Sequence, residues 1–256
     1  MTTNRSNGSL YTKIEKSIAT IEFGHPASNS FPSELLERLA GEFDLLSTNQ
    51  EVAIIVLKSE GDRAFCAGAS FDELVAITNL NEGKKFFSGF ANVINSIRKC
   101  SKLIIGRVQG KAVGGGVGLV AACDYALATE QASIKLSEFT VGIGPFVIAP
   151  AVKRKIGVSG LAELTLEASS WKSAYWAKQK GLYAKVFESV KELDNEIEIF
   201  SKKLAQYNPE ALNEMKKVFW IETENWDHLL KERAEISGKL VLSDFTKKAL
   251  DKFSKK

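Results

Sequence analysis

The sequence predicts an α/β fold, and three observations indicate it. Short runs of β-branched residues over the first two thirds of the chain are typical of buried strands. Amphipathic segments of helical length lie between these runs, and after about residue 145 the strand pattern nearly disappears in favour of helical patterns. Because strands alternating with such helices form α/β cores, we divide the chain into an α/β core, residues 1–195, and a helical region, residues 196–256.

Four apolar runs are predicted to form the strands of the sheet. They share a high content of Ile, Val, Leu or Ala, which is typical of strands that are covered on both faces. In chain order they are residues 18–23, 52–58, 102–108 and 124–129.

Two amphipathic helices are predicted between these strands. The first covers residues 32–46 and has Pro32 near its start, where proline is favoured. The second covers residues 84–99. In both, the apolar residues recur at the spacing that places them on one helix face. These residues are Leu35, Leu36, Leu39, Phe43 and Leu46 in the first helix, and Phe86, Phe87, Phe90, Val93, Ile94 and Ile97 in the second.

Helical patterns fill most of the chain after residue 145, and Gly181 is a predicted helix stop. No Pro-, Gly- or Ser-rich linker and no repeat of fixed period separates this region from the core. Five lysines crowd its end, and a solvated helix end is the simplest interpretation of them. An anionic ligand near that end is the alternative. The five are Lys247, Lys248, Lys252, Lys255 and Lys256.

The composition excludes several classes of protein. With 256 residues, 45% of them hydrophobic and 25% charged, the chain is neither disordered nor of low complexity. The net charge of +3 is too small to predict nucleic-acid binding. No apolar run is long enough for a membrane span, and the N-terminal residues do not resemble a secretory signal. The three cysteines occur singly, without the spacing of a metal site, so we expect a cytoplasmic protein without a bound metal.

Two segments are richer in small residues than packing alone requires. They are FCAGAS, residues 65–70, and QGKAVGGGVGLVAACD, residues 109–124, and each follows a predicted strand. Glycine and alanine at such a place let backbone N–H groups approach a ligand. Two such loops could supply two N–H donors to one oxygen, which is an oxyanion hole. Close helix packing is the other interpretation of the glycines.

Other motifs fit this sequence poorly. The run from Gly114 to Gly118 is not a P-loop, because no GK[ST] follows it, and it lacks the spacing of a dinucleotide fingerprint. Hydrolysis by a serine nucleophile is also disfavoured, because no GxSxG elbow is present. The two histidines, His25 in a turn and His228 in a helical stretch, are interpreted as surface or packing residues.

Glu138 is the most interesting acidic residue. It lies in IKLSEFTVGIGP, a segment with few other charges, among Leu136, Phe139 and Val141. A carboxyl group in apolar surroundings has a raised pKa, which suits it to moving protons near neutral pH. A glutamate that caps the next turn through its backbone amides is the equally open alternative.

These segments together resemble the enoyl-CoA hydratase/isomerase family, the crotonase superfamily. The resemblance extends from Ile18 to the C-terminus and is carried by FCAGASFDEL, by QGKAVGGGVGLVAACDYALATEQASIKLSE and by SAYWAKQKGLYAKV. It implies a spiral of ββα repeats and a C-terminal helical region that forms trimers, often paired as hexamers. It also implies acyl-CoA as the substrate, with no cofactor beyond that coenzyme A, and no nucleic-acid or membrane partner.

The resemblance also assigns residue roles. The two oxyanion-hole donors would be the N–H groups of Ala67 and Gly115, and the proton-transferring acid would be Glu138. Hydratases of the family carry a second glutamate three residues after the second donor, and here that position is Gly118. The expected substrate-binding residues are Ala27, Gly68, Ala69, Phe71, Gly114, Pro145 and Lys256.

Three functions remain open at this point. The resemblance favours an enoyl-CoA hydratase, with segments similar to members assigned as methylglutaconyl-CoA hydratases. A Δ3,Δ2-enoyl-CoA isomerase that works with one glutamate is the first alternative, because Gly118 has no carboxylate. A non-catalytic protein that uses the fold to bind coenzyme A or RNA is the second.

Overall fold

The computed structural model describes residues 7–254, and it contains two β-sheets surrounded by helices. The strands are β1 (Ser9–Glu15), β2 (Ile18–Gly24), β3 (Ile54–Ser59), β4 (Ala64–Cys66), β5 (Leu103–Val108), β6 (Lys111–Val113), β7 (Tyr125–Thr129), β8 (Ile134–Lys135) and β9 (Lys185–Phe187). The helices are α1 (Ser33–Thr48), α2 (Phe71–Val75), α3 (Leu80–Lys99), α4 (Gly115–Ala122), α5 (Ala149–Leu166), α6 (Ala174–Gln179), α7 (Val190–Leu204), α8 (Pro209–Phe219), α9 (Trp226–Leu240) and α10 (Asp244–Ser254).

The larger sheet has six strands in the order β1-β2-β3-β5-β7-β9. All neighbouring pairs are parallel except β1 and β2, which form an antiparallel pair. The smaller sheet consists of β4, β6 and β8, also parallel. The chain therefore alternates: a strand of the large sheet, a short strand of the small sheet, and then a helix. This repeated ββα unit is the spiral that the resemblance implied.

The main hydrophobic core lies between the large sheet and helices α1, α3, α4 and α5. A second apolar cluster covers the opposite face of the large sheet, where Ile54, Ile105 and Leu127 meet Leu193 and Ile197 of α7. The large sheet is thus covered on both faces, which explains why β3, β5 and β7 are almost entirely apolar.

The four predicted strands and both predicted amphipathic helices are present, with small shifts at their ends. The second helix begins four residues earlier than predicted, because the Asn79 side chain accepts from the Glu82 N–H while the Glu82 carboxylate accepts from the Thr78 N–H at 2.8 Å. Gly181, with φ of 90°, follows the end of α6 as predicted.

Five strands were missed. β1 is largely polar and exposed because it is an edge strand, and β4, β6, β8 and β9 have only two or three residues each. None of these has the apolar run that identifies a buried strand. The division predicted between residues 195 and 196 falls inside α7, which packs on the sheet. Leu212 of α8 packs on the same cluster, so the sheet-packed part of the chain extends into α8.

Two C-terminal helices, α9 and α10, pack near the glycine-rich segments. Helix α9 packs closely on α3 where two glycines meet, since a Cβ on Gly83 would lie 3.0 Å from the Cα of Gly238. Helix α10 is anchored by the Thr246 hydroxyl, which donates to the carbonyl of Gly142 at 3.0 Å. Within residues 7–254, no helix combines the length and the apolar character that a membrane crossing requires.

Candidate active site

A cavity of about 190 Å³ lies where the two small-residue segments meet the segment that holds Glu138. We call it the central cavity. Its wall is mostly apolar and is built from the loop after β4, the start of α4, one face of α3, residues 137–148 and Ser237 of α9. The aromatic part of this wall consists of Phe71, Phe86, Phe87, Phe90 and Phe146.

Within the described residues, the loop after β4 has one backbone N–H without a protein partner, and it belongs to a residue that lines the cavity. The Phe31 N–H donates to the Gly68 carbonyl at 2.8 Å, and the Ser70 N–H donates to the Phe31 carbonyl at 2.9 Å. Phe31 thus forms a parallel bridge with this loop, bonding to Gly68 and Ser70. In such a bridge the residue between the two bonded residues directs its own N–H away from the bridge. That residue is Ala69, and its N–H has no protein partner among residues 7–254.

The second small-residue segment forms the start of α4. Gly114 has φ of 53°, a conformation that side chains disfavour, and its carbonyl accepts from the N–H groups of Val117 and Gly118. The Gly115 N–H belongs to the first turn, whose N–H groups lack helical partners, and it has no protein partner in the described part of the chain. A Cβ on Gly115 would lie 2.2 Å from the ring of Phe90, so the packing requires glycine there.

The two loops lie side by side. A Cβ placed on Gly68 would be 3.5 Å from the nitrogen of Gly115 and 3.1 Å from the carbonyl oxygen of Val113. Gly68 therefore packs against the Gly115 nitrogen, and Ala69 is the next residue after Gly68. The N–H of Ala69, which has no partner among residues 7–254, thus lies near the N–H of Gly115. Two free donors at neighbouring points of one cavity are the arrangement that an oxyanion requires.

Glu138 lies against the second loop. It begins a 3-10 helix, Glu138–Val141, and its Oε1 lies 2.9 Å from the point where a Gly114 Cβ would be. Its Oε2 is fully buried and has no hydrogen-bond partner among the described residues. Burial raises the pKa of this carboxyl to about 7, while a bond to its own backbone N–H lowers it by less. The acid can therefore exist in either protonation state near neutral pH.

Glu138 is the one titratable residue in the wall of the central cavity, as far as the described residues define it. The position of the family's second glutamate, Gly118, is blocked. A Cβ there would lie 2.4 Å from Cγ2 and 2.8 Å from Cβ of Ile148. Ile148 thus occupies the space that a second acidic side chain would need.

The structure brings most of the predicted site residues to one wall. The residues placed there are Glu138, Gly115, Gly68, Ala69, Phe71, Gly114 and Pro145. Ala67 also lies on the wall, but the structure contradicts its predicted role as a donor. Its N–H is already bonded to the Ser28 carbonyl at 3.1 Å, because the turn at residues 25–30 packs against this loop.

Two predicted binding residues lie elsewhere. Ala27 is exposed in that turn, donates its N–H to Nδ1 of His25 at 3.2 Å, and does not line the central cavity. Lys256 lies outside the described residues. Neither histidine is among the described residues that line the cavity, and the side chain of His228 is 81% exposed, in agreement with the surface interpretation.

The sequence reasoning missed some of the wall. Phe86, Phe87 and Phe90 were predicted only as an apolar helix face, although their concentration on one face could have suggested a cavity. Ile148 and Ser237 carried no local signal. Among residues 7–254, no group of His, Cys, Asp and Glu could hold a metal ion. Cys66, Cys100 and Cys123 are free and buried, so they pack as small core residues.

Comparisons with known proteins show the family and the fold of this chain. The family model described as enoyl-CoA hydratase/isomerase matches residues 13–256. A probable enoyl-CoA hydratase of Bacillus subtilis is 25% identical over 95% of this chain and 94% of its own length. The human mitochondrial methylglutaconyl-CoA hydratase is 32% identical over 65% of this chain and 49% of its own length.

A peroxisomal Delta(3,5)-Delta(2,4)-dienoyl-CoA isomerase of Arabidopsis thaliana is 28% identical over 68% of this chain and 66% of its own length. Among solved structures, an enoyl-CoA hydratase from Bacillus halodurans superimposes with a TM-score of 0.88 at 20% identity. That comparison covers 95% of this chain and 99% of the other, and it shows that the two proteins share a fold.

Proposed function

This chain belongs to the enoyl-CoA hydratase/isomerase family, and we propose that it converts an acyl-CoA thioester through an enolate. Two backbone amides hold the thioester oxygen, and Glu138 moves the proton. The observation that carries the proposal is the buried Oε2 of Glu138 in an apolar cavity beside the N–H of Gly115, neither of which has a partner in the described part of the chain.

The oxyanion hole consists of the N–H groups of Ala69 and Gly115. This assignment replaces Ala67, whose N–H is bonded to the Ser28 carbonyl, with Ala69, two residues later, whose N–H has no partner among residues 7–254. Enolate formation places negative charge on the thioester oxygen, and donors fixed in advance stabilise that charge at no reorganisation cost. In other acyl-transfer enzymes, a single donor of this kind contributes about 3 to 4 kcal/mol.

Glu138 supplies proton transfer. Because its pKa is raised to about 7, the carboxyl is a stronger base than an exposed glutamate and is still partly ionised at neutral pH. General acid–base catalysis by a positioned side chain contributes about 10²- to 10⁴-fold in rate. The apolar wall keeps bulk water away from the carboxyl and strengthens its electrostatic interactions with the substrate.

Hydration is the leading reaction, and one carboxylate can perform it. The Glu138 carboxylate takes a proton from a water molecule while the water oxygen forms a bond to C3 of a 2-enoyl thioester. The C2–C3 double-bond pair moves towards the thioester oxygen, which becomes an enolate. Glu138 then gives the same proton to C2, so the substrate gains one water in total. The hydratase names of relatives in Bacillus subtilis and human support this choice.

Isomerisation is the second candidate, and the absence of an acid at Gly118 favours it. Here Glu138 takes a proton from C2 of a 3-enoyl thioester, the enolate forms, and the proton returns at C4 as the double bond moves. This reaction needs no water and one carboxylate. Ile148 fills the space where a second carboxylate would lie, which removes a group that positions water in a two-acid site.

Turnover of the two substrate types decides between these reactions. Wild-type protein is mixed with crotonyl-CoA or with a 3-enoyl-CoA, and ultraviolet absorbance of the conjugated thioester is followed. Glu138→Gln is expected to lower turnover of the preferred substrate at least a hundredfold, consistent with the lower end of about 10²- to 10⁴-fold. Glu130→Gln, which changes an exposed glutamate, is the matched control and is expected to leave the rate unchanged.

An unchanged rate in Glu138→Gln would remove this residue from the mechanism. Turnover of neither substrate type by the wild-type protein would favour the non-catalytic alternative, in which the cavity only binds coenzyme A.

The remaining expectations complete the proposal. The substrate brings its coenzyme A, and the protein uses no other cofactor. The active assembly is a homotrimer or homohexamer, to be measured by light scattering with sedimentation. A cytoplasmic location remains a prediction from the single cysteines.

A further inference from the structure

Phe146 belongs to two cavities at once. It lines the central cavity and also a second space of about 490 Å³ that lies between the start of α5 and the start of α9. We call this second space the outer groove. Resting on the proposed function, we propose that Phe146 is the wall that limits the acyl group to a short chain, and that a longer chain would enter the outer groove if Phe146 were removed.

The size and chemistry of the central cavity support a short acyl group. Its volume of about 190 Å³ is below the roughly 300–1,000 Å³ usual for small-molecule sites. Its wall includes the aromatic residues of α3 together with Val141, Ile143 and Ile148. An apolar wall of this kind stabilises a hydrocarbon chain, and among residues 7–254 its polar side chains are those of Glu138, Ser137 and Ser237.

The ring of Phe146 is held in place by its neighbours. A Cβ on Gly144 would lie 2.5 Å from Cε2 and 2.7 Å from Cζ of Phe146, so the ring rests directly on the bare backbone of Gly144. Val147 and Ile148, which follow it, are buried in the main core. The segment is therefore anchored on both sides of Phe146, and the ring forms a fixed partition.

The outer groove differs in charge from the central cavity. Besides apolar residues and Thr223 it is lined by Lys153, Arg154 and Arg233, and Glu222 is the one acid that residues 7–254 contribute. Arg154 is already engaged, since it donates to the Phe219 carbonyl at 2.9 Å and stacks on Trp220 at 3.7 Å. Lys153 and Arg233 have no ion-pair partner in the described part of the chain. A chain that passed Phe146 would meet a cationic surface.

Binding of saturated acyl-CoAs tests the partition without requiring turnover. Titration calorimetry measures the affinities of butyryl-, hexanoyl-, octanoyl- and decanoyl-CoA. Wild-type protein is expected to bind decanoyl-CoA at least tenfold more weakly than butyryl-CoA. Phe146→Ala is expected to recover at least tenfold in decanoyl-CoA affinity while its butyryl-CoA affinity changes less than threefold. Because these saturated ligands undergo no net conversion and only their binding is measured, this result stands or falls separately from the catalytic role of Glu138.

Two further variants guard against a trivial outcome. Phe146→Leu keeps an apolar side chain and is expected to give an intermediate length profile if Phe146→Ala does not fold. Phe139→Ala changes an exposed phenylalanine outside the central cavity, and its profile is expected to equal that of the wild type. Equal binding of short and long chains by the wild type, or an unchanged profile in both Phe146 variants, would overturn the proposal.

An acyl group with a terminal carboxylate tests whether the longer acyl chain enters the outer groove. In Phe146→Ala, the eight-carbon acyl-CoA with a terminal carboxylate is expected to bind at least threefold more tightly than octanoyl-CoA. Adding Arg233→Gln is expected to abolish that preference, because Arg233 lines the outer groove. A preference that persists in the double variant would contradict the outer groove as the destination.

Discussion

Glu138 and Asp124 both hold carboxylate oxygens away from solvent, but in opposite ways. The side chains of Asp124 and its partner Lys216 are each 3% exposed, and their charged atoms are 3.0 Å apart. Asp124 also accepts from the Trp220 indole at 2.8 Å and from the Ile104 N–H at 2.8 Å. Glu138 has a buried Oε2 with no partner in the described chain.

The number of hydrogen-bond partners distinguishes Asp124, whose role is structural, from Glu138, whose proposed role is proton transfer. Each carboxylate oxygen of Asp124 has at least one donor, so the ionised form is fully compensated and ties α8 to the edge of β5 and β7. Glu138 is compensated only by its own backbone N–H, so burial disfavours its ionised form and raises its pKa to about 7. An acid left without partners in a cavity remains available to a substrate.

The largest expected effect is the loss of a partner from Asp124. Lys216→Met removes the ion-pair partner of the buried Asp124 carboxylate, and breaking such a buried pair typically costs about 3–5 kcal/mol of stability. Lys155, whose Nζ donates to the Asp124 carbonyl at 2.8 Å, stays in place in this variant. Denaturant unfolding measures the free energy of unfolding. The control is Lys217→Met, whose side chain is 63% exposed and which is expected to change stability by about 0.5 kcal/mol or less. Equal effects of the two variants would contradict the compensated network.

The second prediction concerns the pH dependence of Glu138→Gln. The folded pKa of Glu138 is raised from 4.5 to about 7, so the folded state keeps a proton that the unfolded state has already lost. Wild-type stability therefore falls as pH rises from about 4.5 to about 7, and then levels off. Relative to wild type, Glu138→Gln is expected to gain about 2 to 3 kcal/mol between about pH 4 and about pH 8.

Urea unfolding at a series of pH values measures this gain. A constant difference between variant and wild type would mean that Glu138 titrates normally, and the contrast with Asp124 would disappear.

The smallest expected effect concerns the blocked position. Gly118→Ala places a Cβ against Ile148 and is expected to cost about 1–3 kcal/mol through overpacking. Ile148→Ala removes the Cγ2 atom at 2.4 Å, so the double variant is expected to be more stable than additivity predicts by at least about 0.5 kcal/mol. Strict additivity in this double-mutant cycle would show that Ile148 does not occupy the space of a side chain at residue 118.

The sequence predicted the parts of this contrast that depend on local pattern. Glu138 stood out because few charges surround it, and the two small-residue loops stood out because each follows a strand. The choice of donor could not be predicted, because the bond that engages the Ala67 N–H comes from Ser28, in a turn remote in sequence. The Asp124–Lys216 pair and the contact of Ile148 with residue 118 also join distant segments, so only the fold reveals them.

The same reason explains the missed edges of the sheets. β1 is recognised by its pairing with β2, from Ser9 opposite Gly24 to Glu15 opposite Ile18, and its own residues are mainly polar. β9 consists of three residues that gain strand geometry by pairing with β7. Such strands form because they pair with a neighbouring strand, and the residue pattern of their own sequence does not predict them.

Hydrogen exchange at C2 of butyryl-CoA tests the central claim most directly, because it requires only the enolate and its proton carrier. The substrate is incubated in D2O with the protein, and loss of the C2 proton signal is followed by NMR across a range of pH. We predict that exchange in the wild type rises with pH to half its maximum near the Glu138 pKa of about 7, and that Glu138→Gln exchanges at least a hundredfold more slowly. Equal exchange by the two proteins would contradict the account.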